Sequence, residues 1–205
     1  MIVAIAANAQ QKQGLCEKGF GEDIALTWVT ASAELYNQTE ANVLIDCLFD
    51  RTILTSVRQP LLIHSPNISL KELQASGQTA RFCAWDTLIQ RPIWEMAVSD
   101  AENAGWVENT MNAIGWQYRV VPDEPGFIAP RIISMIINEA FFALEEGVSD
   151  QAAIDTAMKL GTNYPFGPFE WAEKIGVSHI NSLLQKLTVT DKRYEPSKLL
   201  SSNCP

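Results

Sequence analysis

DEPGFIAPRIISMIINEAFFALEEGVSDQAAIDTAMKLGTNYPFGPFEWAEKIG, residues 123–176, is the stretch on which the fold is decided. With Pro122 it opens on PDEPGF (122–127), where two prolines and a glycine in six residues make a turn or linker. Apolar residues then recur at 132, 133, 136, 137, 140, 141 and 144, a helical spacing, and Gly147 stands where a C-terminal cap is expected. Ser149 offers the next N-cap, Asp150 suits the positive end of the dipole, and the pattern predicts a helix to Gly161. Gly167-Pro168 starts a third helix, with proline at the first helical position, ending at Gly176. Ser178 is read as the cap of a fourth, through about Leu187. Residues 188–205 read as a polar, loosely ordered tail.

Upstream, the period changes. IVAIA (2–6), IALTWV (24–29), NVLIDCLF (42–49), PLLIH (60–64), ARFCAW (80–85), WEMAV (94–98) and YRVV (118–121) are short runs rich in β-branched and aromatic residues. They are apolar on both faces, as in a parallel sheet covered by helices. LKELQAS (70–76) and DAENAGWVENTMNAIG (100–115), which lie between them, have helical composition. This alternation predicts an α/β doubly wound sheet over 1–121, followed by an all-α domain over 122–187 and the 188–205 tail.

The 205 residues are 47% hydrophobic and 19% charged, so a packed chain is expected rather than a disordered one. A net charge of −9 argues against nucleic acid and against an anionic membrane surface. No apolar run is long enough to span a bilayer, and MIVAIAANA lacks the basic flank of a signal peptide, so a cytoplasmic location is expected. Cys16, Cys47, Cys83 and Cys204 are widely spaced, and with only His64 and His179 they suggest no metal site. Cys47, inside VLIDCLF, reads as a small buried hydrophobe.

The helical stretch resembles the C-terminal domain of the 3-hydroxyacyl-CoA dehydrogenase family. Asp123, Pro125-Gly126-Phe127, Arg131, Asn138-Glu139-Ala140, Leu144, Glu146-Gly147, Ile154-Asp155, Ala157-Met158, Gly161, Pro165, Gly167-Pro168-Phe169-Glu170 and Gly176 match its pattern in order. RYEPSKLL (193–200) resembles the start of the family's last segment. The resemblance implies a shortened Rossmann-like sheet domain followed by a helical domain like the C-terminal domain of 6-phosphogluconate dehydrogenase. It also implies NAD as cofactor, an acyl-CoA or small hydroxy acid as ligand, and a homodimer through the helical domain.

A dinucleotide site needs three glycines, for a tight turn, close backbone approach to the pyrophosphate, and close helix–strand packing. Those positions fall near Ala6, Asn8 and Gln11, and none is glycine. Gln11 is expected to push the helix off the strand, and no NAD binding is expected. The acidic residue at the end of the second strand is absent; ALTWVT offers Thr27 and Thr30. The lone GxG in GFGED (19–23) does not directly follow a strand and carries little weight. By resemblance, Glu95 in RPIWEMA is the glutamate that polarises the family's catalytic histidine. The histidine itself, twelve positions earlier, is replaced by Cys83, and the proline after it by Thr87. The family's substrate-placing serine falls at Pro66, or at Ser65, and its asparagine at Pro130. A thiol beside a carboxylate is a poor base, because the carboxylate disfavours the thiolate. His64 reads as a hydrogen-bonded turn residue, and Trp85 and Trp94, flanking the site, as rings that fill cofactor space.

Three readings follow. The chain is a divergent family member without dehydrogenase activity, kept for binding or assembly. Alternatively it is an oxidoreductase on 3-hydroxyacyl-CoA or a related 3-hydroxy acid with a rebuilt site, or an acyl-CoA binding module. A symmetric homodimer is also expected, because Ile132, Ile133, Ile136, Ile137, Phe141, Phe142 and Leu144 exceed one helical stripe; the competing expectation is that the sheet domain covers the second face within one chain.

Overall fold

A computed structural model describes residues 1–51, 57–99 and 104–203, which leaves Cys204 outside the described residues. The chain divides into two units, 1–127 and 128–205.

The first unit carries β1 (Ile2–Ala6), α1 (Ala9–Lys18), β2 (Ala25–Val29), α2 (Ser32–Leu35), β3 (Val43–Asp46), β4 (Leu61–His64), β5 (Thr79–Phe82), β6 (Ile93–Val98), α3 (Gly105–Ile114) and β7 (Gln117–Val120). Its seven strands form one sheet in the order β2-β1-β3-β4-β5-β6-β7. The pairing is parallel throughout except between β5 and β6. The expected doubly wound sheet is therefore correct but for that antiparallel pair. Alternate residues of the apolar strands divide between two cores. Val3, Ile5, Val43, Ile45, Leu62 and Phe82 pack with Leu15 of α1 and Val107, Met111 and Ile114 of α3. Ala4, Ala6, Leu44, Leu61 and Ile63 face the other way, against Leu35 and Leu70. Gly14 lets α1 lie close, since a Cβ there would sit 2.8 Å from Ile89 Cγ2.

The helix expected from LKELQAS is a single turn instead. Ser69 and Glu72 cap each other, and the first N–H groups, of Leu70 and Lys71, are taken at 3.0 and 3.1 Å by the Asp123 carboxylate. Six residues more than expected belong to the sheet unit, because PDEPGF is fastened to it. Fully buried Arg81 bonds Asp123 through Nε at 2.5 Å, and donates to Ser65 O and Glu124 O at 3.0 and 2.6 Å. Its guanidinium lies 4.2 Å from the Phe127 ring centre, and Gly126 N–H donates to Pro66 O at 2.7 Å. The stretch read as a linker is thus held down by a buried cation, which local composition does not reveal.

The second unit carries α4 (Ala129–Glu145), α5 (Gln151–Thr162), α6 (Pro168–Ile175), α7 (Val177–Thr188), a 3-10 turn (Lys192–Tyr194) and α8 (Lys198–Ser202). Asp150 caps α5 in place of Ser149, accepting the Ala153 N–H at 2.8 Å, and the helix ends at left-handed Asn163 rather than at Gly161. Gly176, not Ser178, is the N-cap of α7. The tail is a correction as well. Asn138 Nδ2 donates to Glu195 O at 2.9 Å and Asn138 Oδ1 accepts from Ser197 N at 2.8 Å, while Tyr194, Ser197 and Leu200 are buried. Asp155 accepts the Phe169 and Glu170 N–H groups at 2.8 and 3.2 Å, satisfying the free end of α6. Gly167 must be small, because a Cβ there would stand 2.3 Å from the Asp155 carboxyl. No helix of the described residues is long and apolar enough to cross a membrane.

Candidate functional site

The sheet order reverses at β1, whose neighbours are β2 and β3. Leu15 of α1 packs in one core and Leu35 of α2 in the other, so β1 and β3 border the crevice where doubly wound sheets take ligands at their carboxyl ends. Asn8 sits at this end as the N-cap of α1. Its Oδ1 accepts the Gln11 N–H at 2.8 Å, and Gln11 Oε1 accepts the Asn8 N–H at 3.1 Å. Ala6, just before, ends β1 fully buried, and its carbonyl accepts the Cys47 N–H at 2.9 Å.

Gln11 does not push α1 away as expected. Its side chain lies buried, with Nε2 donating to Cys47 O at 3.1 Å and Ala84 O at 3.3 Å. One carboxamide therefore ties the first turn of α1 to the segments following β3 and β5. The same Ala84 donates its N–H to His64 Nδ1 at 2.9 Å, so His64 is the hydrogen-bonded residue the sequence suggested. Thr27 lies within β2 and Thr30 is exposed beyond it, where the Thr30 N–H donates to Glu34 Oε2 at 3.4 Å. Glu34 thus brings a carboxylate to the end of β2 from α2, which strand-end reading could not find. The glycines of GFGED are structural: Gly19 caps α1 at φ 80°, and Gly21 lies close under Ala113 O.

Cys83 follows β5, half-buried against Ala97, Val121 and Phe127. Burial pushes its thiol up; a backbone hydrogen bond involving Trp85 opposes this and the Glu95 charge adds to it. Glu95 pairs with Arg91 Nη1 at 3.1 Å. The sheet unit thus brings Cys83 and Glu95 within electrostatic range, and their interaction favours the neutral thiol. Ser65 is buried with its hydroxyl donating to Ile68 O at 2.9 Å, and Pro66 offers only its carbonyl, to Gly126. Pro130 belongs to the helical unit, buried in the first turn of α4. Trp94 stacks on Phe82 at 4.4 Å and leans on Trp116 at 4.6 Å, so it is core. The sequence did not signal that Trp85 Nε1 and Thr87 Oγ1, two residues apart, are buried without hydrogen-bond partners. Among the described residues no cluster of three or more His, Cys, Asp or Glu could hold a metal ion.

Residues 126–205 match the family model of the 3-hydroxyacyl-CoA dehydrogenase C-terminal domain. A 3-hydroxyadipyl-CoA dehydrogenase of Escherichia coli is 45% identical over 82 residues, 39% of this chain and 17% of that protein. A probable 3-hydroxybutyryl-CoA dehydrogenase of Deinococcus radiodurans is 34% identical over 135 residues, 62% of this chain and 48% of the relative. The matches thus span less than half the length of these relatives. Among solved structures, FadB2 of M. tuberculosis superposes with a TM-score of 0.75 at 16% identity, covering 98% of this chain and 92% of that one. The (S)-3-hydroxybutyryl-CoA dehydrogenase PaaH1 of Ralstonia eutropha gives 0.72 at 17%, with the same coverages. At these identities the superpositions speak for the fold.

Proposed function

We propose that this chain, whose residues 126–205 match the 3-hydroxyacyl-CoA dehydrogenase C-terminal domain, is a divergent member of that family without NAD-dependent dehydrogenase activity, retained as a binding or assembly protein. The carrying observation is the double anchoring of the Gln11 carboxamide to Cys47 O and Ala84 O. A pyrophosphate is held by free N–H groups at the first turn of the helix after β1, where the backbone must be bare of side chains. Here the Gln11 N–H is capped by Asn8, and Gln11 fastens the crevice from inside. These residues do not fit a dinucleotide bound in the family's manner.

The residues for alcohol oxidation support the same reading. A general base must be ionised near working pH to take the hydroxyl proton. Burial and Glu95 both act against the Cys83 thiolate. Ser65 and Pro66 have no free hydroxyl to place a substrate, since the one on Ser65 is spent on Ile68 O.

Titrating NADH while following its fluorescence tests the proposal: no saturable binding is expected, and micromolar affinity overturns it. Turnover on acetoacetyl-CoA is expected below detection, since losing a general base alone costs about 10²–10⁴-fold. A thermal-shift series with NAD, NADH, acetoacetyl-CoA and free CoA distinguishes a binding module from an assembly protein, because a ligand of the folded state raises the melting midpoint.

A further inference from the structure

The helical unit holds a groove of about 660 Å³ along α4, a volume in the range of small-molecule sites. Its walls are apolar, with Ile132, Met135, Ile136 and Ala143 from α4 and Ile154 and Met158 from α5. Arg131 and Ala143 both line it, about 18 Å apart along the helix at a rise of ~1.5 Å per residue.

Arg131, Arg193 and Tyr194 line it as well, and they meet at one phenol oxygen. Tyr194 Oη accepts from Arg131 Nη1 at 3.5 Å and from Arg193 Nη2. The two guanidiniums also lie against the Tyr194 ring, 5.7 and 4.6 Å from its centre. A guanidinium has no lone pair to offer, so neither arginine can take the phenol's own proton. Tyr194 is 4% exposed, and no other described residue takes that proton. A buried donor without an acceptor costs stability, and this one stands between two cations beside an apolar groove. Arg193 also holds Asp191 through Nε at 3.0 Å, and Glu139 lines the groove two turns along α4 from Arg131.

We propose that this groove binds a free monocarboxylate with an unbranched apolar chain. The carboxylate accepts from the Tyr194 hydroxyl, Arg131 and Arg193, and the chain lies along Ile132, Met135 and Ile136. A carboxylate offers lone pairs and no proton, so it meets both needs at once: an acceptor for the phenol and a counter-charge for the guanidiniums. Glu139 sets the direction, because a carboxylate at its end of the groove would meet a like charge. A thioester carries no charge at its carbonyl, so the same groups favour the free acid over an acyl thioester. The site lies within the helical unit and stands whatever the sheet crevice binds.

Isothermal titration with sodium dodecanoate, kept below its micelle concentration, should show saturable binding of one molecule per chain. Methyl dodecanoate keeps the chain without the charge, dodecylammonium reverses the charge, and both should bind at least about tenfold more weakly. Tyr194→Phe and Arg131→Met should each weaken dodecanoate binding by about tenfold or more and leave methyl dodecanoate unchanged, a split that loss of folding would not give. Ile132→Glu, at an exposed position, sets a carboxylate beside the chain and should abolish dodecanoate uptake, with circular dichroism showing the helices intact. No saturable binding, equal affinity for the ester, or variants that bind like the unaltered protein would each overturn the proposal. So would a particle of twice 22.7 kDa that takes up no dodecanoate, in which a second copy fills the groove.

Discussion

In the helical unit, the polar residues of the family pattern hold backbone: Asn138 fastens Glu195 and Ser197, and Asp155 caps α6 over Gly167. Glu170 closes the same turn through Gly167 N–H and Lys159. At the carboxyl ends of the sheet, outside the matched residues, Asn8, Gln11 and Pro66 bond to neighbouring backbone and Cys83 packs against Ala97, Val121 and Phe127. The difference teaches what the resemblance measures. A pattern built from residues that satisfy buried backbone groups is tied to the fold, because removing any one leaves an unsatisfied donor or acceptor. Residues needed only to touch a ligand have no such bond to the rest of the chain. Likeness over 126–205 therefore reports the helical architecture and says little of hydride transfer.

The largest expected effect lies at Arg81, which serves Asp123 of the pattern from within the sheet. Arg81→Met leaves the Asp123 carboxylate without its buried cation and should cost about 3–5 kcal/mol in denaturant unfolding; a loss below about 1 kcal/mol would mean that PDEPGF is held by something else. Asp155→Ala removes two N–H acceptors from α6 and should cost about 2 kcal/mol. If Asp155→Ala melts like the unaltered protein, the structural account of the pattern fails. Cys83→Ala and Glu95→Gln, by contrast, should each change stability by no more than about 1 kcal/mol. In alkylation followed by peptide mass mapping, exposed Cys16 should label well ahead of Cys83 and buried Cys47. A Cys83 that labels as fast as Cys16 at neutral pH would argue for an activated thiol and a rebuilt site.

Two smaller effects complete the series. The Lys159 ammonium and the Gly167 N–H hold the Glu170 carboxyl below the usual carboxylate range. A depressed pKa contributes stability above the unfolded value, lost as pH falls through the folded one. Melting midpoints below about pH 5 should therefore depend less on pH in Glu170→Gln than in the unaltered protein. Thr87→Val should be neutral or slightly stabilising, within about 1 kcal/mol, because the buried hydroxyl has no partner to lose.

Much of the fold was legible because short-range chemistry carries it. Seven strands were readable from apolar runs, and Gly167-Pro168 marked the start of α6. Where two neighbours suit one role, as Ser149 and Asp150 do, side-chain chemistry could not choose, and the extended backbone of Asp150 decided. LKELQAS has helical composition, yet it makes one turn, ending where Gln74 turns left-handed at φ 52°, while Asp123, about fifty residues on, caps its first N–H groups. At the candidate site, the residue types at Ala6, Asn8, Gln11 and Cys83 are plain in the sequence, whereas the bridging bonds of Gln11 are not.

The sequence by itself determined the two periodicities and the order of elements. Those follow from side-chain size, charge and spacing along one chain. Only the tertiary structure decided that the apparent linker belongs to the sheet unit, that the apparent tail is part of the helical unit, and that Gln11 fastens the crevice instead of prising it open. Each of these depends on a buried polar group finding a partner far away in sequence, Arg81 with Asp123, Asn138 with Ser197, Gln11 with Ala84. Burial makes such partners obligatory, and the folded chain alone selects which they are.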